Sequence, residues 1–198
     1  MNHTKSLAFR TVVLIIFIFC AGAANGQQQN QDEMMKAWAA YMTPGEMHAL
    51  LAKTEGEWDT DMSMWMDPSG QPMKASGVST NKMIMGGRYQ QSSYKGNIMG
   101  QPMEGQGTTG YDNSRKVFES TWIDNMGTGI MKAEGTYDPA TKTLVLKGKQ
   151  QDFSTGKEMP FREVMKFIDD NTHIMEMYIT PAGGQEFKSM EIKFTRKQ

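Results

Sequence analysis

Between Gly56 and Met66 the chain reads GEWDTDMSMWM, and side-chain character changes at nearly every residue. In an extended strand Trp58, Thr60, Met62, Met64 and Met66 share one face, while Asp59, Asp61, Ser63 and Trp65 share the other. A helix does not sort side chains with a period of two. A strand with one apolar face needs a covering layer, and the downstream sequence supplies further strands of the same kind. Turn-forming clusters separate them, among them Asp67-Pro68-Ser69-Gly70, Gly86-Gly87, Asp138-Pro139-Ala140-Thr141 and Asp169-Asp170-Asn171. Gly96 to Met103 reads as a Gly/Pro loop. The rhythm is about ten strands with no helical pattern between them, which favours an up-and-down barrel or a sandwich over an α/β sheet. Closure into a barrel also removes exposed edges. The predicted fold is therefore mainly β: an antiparallel up-and-down barrel of about ten strands with a short N-terminal helical segment.

The segment before the barrel divides in two. Residues 1–26 have a positive start (Lys5, Arg10), an apolar run from Val12 to Phe19 and small residues from Ala21 to Gly26. That is the layout of a secretory signal peptide, with an apolar run too short to span a bilayer. It predicts a secreted or periplasmic protein. Cys20 raises the alternative of a lipoprotein, but bulky Phe19 precedes it where a small residue is usual. Cys20 is the only cysteine, so the processed chain has no disulfide and depends on packing. Residues 27–43 form a flexible or helical extension, and 44–198 a single barrel domain. At the boundary between them, Thr43 reads as a helix cap with Pro44 at the first helical position and Glu46 three residues after the cap.

Removing Lys5 and Arg10 from 21 basic residues leaves 19 against 22 acidic ones, a net charge of −3. With no basic stripe, neither nucleic acid nor an anionic membrane face is an expected partner. A membrane-spanning barrel is disfavoured as well, because Asp59/Asp61 and Lys147/Lys149 point outward where lipid demands apolar groups.

Methionine is the compositional outlier, at 20 of 198 residues. Met62/Met64/Met66, Met83/Met85 and Met175/Met177 recur at every second position. Three readings compete: methionine as an adaptable core filler, a methionine-lined cavity for a small apolar or amphipathic molecule, and a soft thioether site for Cu(I). The candidate lining is Trp58, Met62, Met64, Met83, Met85, Trp122, Met175 and Met177. Alternation also turns Glu163 inward with Phe161, Met165 and Phe167. A lone interior carboxylate is costly unless paired, and Arg88, Arg162 or Lys166 could serve. Asp124, at a strand end, reads as a turn cap. His173 shares a face with Met175 and Met177, and its place just after a turn suggests a hydrogen-bonded rim histidine. Signatures for a nucleophile elbow, a zinc protease, a phosphate loop or a dinucleotide fold are absent, so no catalytic residue is assigned.

Several landmarks carry a resemblance: Gly56-x-Trp58 after a short helix, Gly86-Gly87-Arg88, Gly110-Tyr111-Asp112, Trp122-Ile123-Asp124, Gly135-Thr136-Tyr137-Asp138 and Phe194-Thr195-Arg196. Their order and spacing resemble the bacterial family of domain of unknown function 1579. The resemblance implies a calycin-type barrel, related in shape to lipocalins and to haem-binding nitrobindins, and no established activity. By that analogy His173 becomes a candidate haem ligand. The leading expectation is a secreted or periplasmic barrel that binds a small hydrophobic or amphipathic molecule without a cofactor. The alternatives are a ligand-free envelope scaffold and a haem- or metal-binding barrel.

Overall fold

The computed structural model describes residues 28, 30–153 and 155–198. The expected signal peptide and Cys20 lie outside them. The chain divides into two compact units, 1–43 and 44–198. In the first, helix α1 covers residues 30–42, exposed along its length. Thr43 Oγ1 donates to the Ala39 carbonyl at 2.6 Å at its end.

The second unit opens with α2 (Glu46–Ala52) and continues as ten strands. They are β1 (Gly56–Met64), β2 (Met73–Ile84), β3 (Tyr89–Ile98), β4 (Gln101–Asp112), β5 (Val117–Asp124), β6 (Met131–Asp138), β7 (Thr143–Gln151), β8 (Glu158–Asp169), β9 (Thr172–Ile179) and β10 (Phe187–Arg196). Each strand pairs antiparallel with the next, and β1 with β10 closes the barrel. Polarity alternation explains the placement. On β1, Trp58, Thr60 and Met62 are buried while Glu57, Asp59 and Asp61 are exposed, and β6 alternates at every position.

Three expectations change. Met66 is 84% exposed, because ladder pairing of β1 ends at Met64. Met85 is 69% exposed and has a φ of +52°, so it belongs to the β2–β3 turn and not to the barrel lining. Gly96–Met103 is no loop: β3 and β4 run through it, with Ile98 paired to Gln101 across Met99 and Gly100. Both turn residues have positive φ, 55° and 79°, the geometry whose twist matches that of the flanking strands.

One end of the barrel is plugged. The N-cap of α2 is Gly45, two residues later than the sequence suggests, and its N–H donates to Nδ1 of buried His48 at 3.0 Å. Leu50 and Leu51 from α2 pack with Phe118, Leu144 and Leu146 in one core cluster. Burying each such side chain contributes about 1.5–3 kcal/mol. The chain after the helix is tied down by barrel amides: Gln90 Nε2 donates to the Leu51 carbonyl at 2.6 Å, and Asn81 Nδ2 to the Thr54 carbonyl at 3.0 Å. Trp58, 1% exposed, donates from Nε1 to the same Thr54 carbonyl at 2.9 Å. Arg196 lies 4.2 Å above its ring and donates to the carbonyls of Lys53, Glu55 and Asp170 at 2.7, 2.7 and 2.9 Å. The short β2–β3, β4–β5, β6–β7 and β8–β9 turns share this end. The opposite end carries the longer β1–β2, β5–β6, β7–β8 and β9–β10 connections and the two-residue β3–β4 turn, and no described helix or strand of residues 44–198 caps it.

Candidate functional site in the barrel interior

Cross-strand register decides which inward side chains meet. Leu146, Glu163, Met177, Met190, Met64 and Met73 form one row across β7, β8, β9, β10, β1 and β2. The next row toward α2 is Leu144, Met165, Met175, Ile192, Met62 and Ala75. Directly paired inner residues on neighbouring strands lie about 4.5–5.5 Å apart, so the thioethers share one wall.

Elsewhere on the inner face, two aromatic rings lie over gaps left by glycine. A Cβ on Gly105 would come within 2.2 Å of Trp122 Cζ2, and one on Gly96 within 2.2 Å of the Tyr94 hydroxyl. No side chain larger than hydrogen fits at either position while the rings stay in place. Trp122 Nε1 donates to Asp124 Oδ2 at 2.8 Å, and Asp124 Oδ1 accepts from the Met126 N–H, so Asp124 does cap its turn. The hydroxyls of Thr60 and Tyr94 are fully buried without a well-formed hydrogen bond. Burial raises the Tyr94 pKa, and the Thr60 hydroxyl acts weakly the other way.

Glu163 is the chemically unusual group. It faces inward between Leu146 and Met177, and burial alone pushes its carboxyl up to about 7. Among the described residues no hydrogen bond or ion pair reaches it. The three cations considered as partners are engaged elsewhere. Arg162 and Lys166 sit an odd number of positions from Glu163 and so point outward. Arg162 binds Glu186 through two bonds of 3.1 and 2.7 Å and lies 4.0 Å over the Tyr178 ring. Lys166 pairs with Glu176 at 2.7 Å. Arg88 sits at the β2–β3 turn, where Nη1 donates to the Met85 carbonyl at 3.1 Å. Glu163, Met165, Met175, Met190 and Trp122 all point into the barrel yet keep part of their accessible surface. Met165 packs against the α2 cluster, and Met175, Met190 and Trp122 against a second cluster of Met62, Tyr94, Ile98 and Ile192. A groove of about 540 Å³ opens at β1–β3, lined by Met62 and Ala75 of the inner row as well as by Asp61, Lys74 and Asn97, and does not include Glu163.

His173 lies deeper than a rim position, because the β8–β9 turn belongs to the plugged end. It is 3% exposed, stacked on Phe194 with centroids 4.3 Å apart and met edge-on by Trp58 at 4.3 Å. Burial, helped by the Arg196 charge, lowers its pKa to about 4. A neutral imidazole enclosed by aromatic rings stabilises packing. A haem macrocycle does not fit against it without displacing Trp58 or Phe194.

The predicted lining residues thus separate by depth. Met64, Met177 and Glu163 share one row, Met62 and Met175 the next, and Trp122 lies on β5. Met83 packs against the α2 cluster and Trp58 forms the floor, while Met85 and Arg88 belong to the turn. The sequence reading overlooked Met190, which completes the thioether row and shares the alternation of Ile192 and Phe194. Alternation placed Thr60 on the inner face, as the structure does, but the buried Tyr94 hydroxyl was overlooked.

Comparison with solved structures places the barrel among known folds. The crystal structure of Rv2717c from M. tuberculosis is similar, with a TM-score of 0.57 and 12% identity over 79% of this chain and 100% of that chain. At that identity the likeness shows the fold alone. The structure of EF1p2_mFAP2b bound to DFHBI gives a TM-score of 0.43 at 8% identity, over 77% of this chain and 100% of that one, too remote to carry weight. Comparison with curated proteins gives no match. The family described as protein of unknown function DUF1579 matches residues 43–196, and the chain belongs to that family.

Proposed function

We propose that the barrel binds a small hydrophobic or amphipathic molecule in its interior and, from its N-terminal sequence, does so outside the cytoplasm. The observation that carries this reading is that Glu163, Met165, Met175, Met190 and Trp122, turned inward by strand parity in a closed barrel, are only partly buried. A filled core would have buried them to native density. Methionine suits such a lining because its unbranched, polarisable chain adapts to a guest. Asp124, the other inward acid, is held by Trp122 and its own turn, and among the described residues no hydrogen bond or ion pair joins Glu163 to an acid or nucleophile, which fits recognition better than catalysis.

The neutral apolar dye N-phenyl-1-naphthylamine tests this. A saturable fluorescence rise with one dye per chain, weakened at least tenfold by Met177→Trp in a folded variant, supports an interior site. A rise that never saturates, or that Met177→Trp leaves unchanged, refutes it.

Register favours a second reading. Met64, Met190 and Met177 occupy adjacent strands in one row, and three neighbouring thioethers form a donor set that suits Cu(I). Replacing all three with leucine would abolish Cu(I) affinity on this reading; unchanged affinity excludes it.

A further inference from the structure

We infer that the interior ligand carries a positive charge on an apolar body, as a hydrophobic amine does, and that Glu163 receives that charge. This inference rests on interior binding and specifies the class of ligand.

The charges that face the interior are unbalanced. Glu163 on β8 and Asp124 on β5 are acidic. Arg196 is the inward cation of β10, and its guanidinium is engaged by three backbone carbonyls and the Trp58 ring at the plugged end. The cations nearest in sequence to Glu163 are turned outward and paired with Glu186 and Glu176. Among the described residues Glu163 has no ion-pair partner, so a pair that merely holds strand register does not account for it. An anionic guest would face an uncompensated carboxylate in a medium that screens poorly. A neutral guest would displace water from Glu163 and force it to hold a proton. An ammonium group supplies the missing counter-charge and donors, and the thioethers of the same row, Met177, Met190 and Met64, accommodate the hydrocarbon.

The other titratable groups on the inner face are His173 from β9, Tyr94 from β3, Tyr111 from β4, Tyr137 from β6 and Asp124 from β5. Among the described residues none contacts Glu163. His173, held near 4, stays neutral above pH 5.5. Charge on Glu163, which titrates near 7, thus controls binding between pH 5.5 and 8.5.

Decylamine, decanol and decanoate share a chain and differ in the head group. Displacement of N-phenyl-1-naphthylamine by each, at pH 5.5 and 8.5, should be measured for the wild-type protein and for Glu163→Gln. At pH 8.5 the amine should bind the wild-type protein at least tenfold more tightly than the alcohol. That preference should shrink at pH 5.5 and vanish in Glu163→Gln, which should still bind decanol. Wild-type protein that binds decanol or decanoate as well as decylamine at pH 8.5 overturns the inference and leaves interior binding intact. An amine preference that survives Glu163→Gln overturns it too. Failure of the dye and of all three compounds to bind overturns both readings.

Discussion

Replacing Glu163 with glutamine should reveal a pH dependence of stability that the wild-type protein hides. In the folded barrel Glu163 titrates near 7, against 4.5 ordinarily, so the folded state keeps a proton that the unfolded chain releases. Stability is therefore lost as pH rises from 4.5 to 7, by about 3 kcal/mol at 1.36 kcal/mol per unit. His173 acts in the opposite sense. Its folded value is about 4 against 6.5 ordinarily, so the unfolded chain takes up a proton that the folded state refuses. Stability is lost as pH falls from 6.5 to 4, again by about 3 kcal/mol. The two windows overlap and the slopes oppose, so these two contributions nearly cancel in the wild-type protein between about pH 4.5 and 6.5. Buried His48, whose pKa is also lowered, adds the same rise with pH to every variant, so relative to wild type Glu163→Gln should gain a rise with pH and His173→Phe a fall. Exposed carboxyls held below their ordinary range, such as Asp67 and Asp138, contribute equally to all three proteins and cancel in the comparison. Urea unfolding followed by circular dichroism at half-unit pH steps, with a constant m-value, provides the assay. A Glu163→Gln curve parallel to wild type from pH 4.5 to 7 would refute a lone, buried carboxyl.

Arg196→Ala removes three charge-assisted bonds and a ring contact at once. It should cost about 3 kcal/mol or more in urea unfolding, and Arg196→Lys should recover less than half because lysine lacks the fork. Gly135→Ala places a Cβ 1.8 Å from the Val145 carbonyl oxygen, a backbone atom that cannot step aside. It should cost about 2 kcal/mol or more, whereas Gly127→Ala, with nothing within 4 Å, should shift stability by under about 0.5 kcal/mol in thermal melts. Haemin titration should give the same Soret spectrum for wild type and His173→Phe, since the imidazole is 3% exposed, stacked on Phe194 and met by Trp58.

Strand parity carried most of the fold from the residues alone. Gly56 to Met64 announces its two faces, and paired turn residues mark the ends of successive strands. Parity also placed Glu163 inside and, followed consistently, places Arg162 and Lys166 outside. It failed at Met85, where the Met-x-Met pattern continues but the backbone turns to positive φ over Met85, Gly86 and Gly87. Gly/Pro composition misled at Gly96 to Met103, where Gly96 makes room for Tyr94 within β3 and Gly100 serves only a two-residue turn. Depth along the barrel was not legible. Whether His173 sits at an open rim or a plugged floor depends on which end α2 occupies, and that follows from long-range packing.

The pairing of β1 with β10 joins the first strand of the barrel to the last, with nearly all of the domain between them. A growing chain on the ribosome cannot make that junction until the final residues emerge, so the seam forms last and folding is slow for the domain's size. Until then β1 and β9 both present bare edges to any neighbouring chain. A premature stop before Phe187 would make that exposure permanent, and self-association would be its consequence.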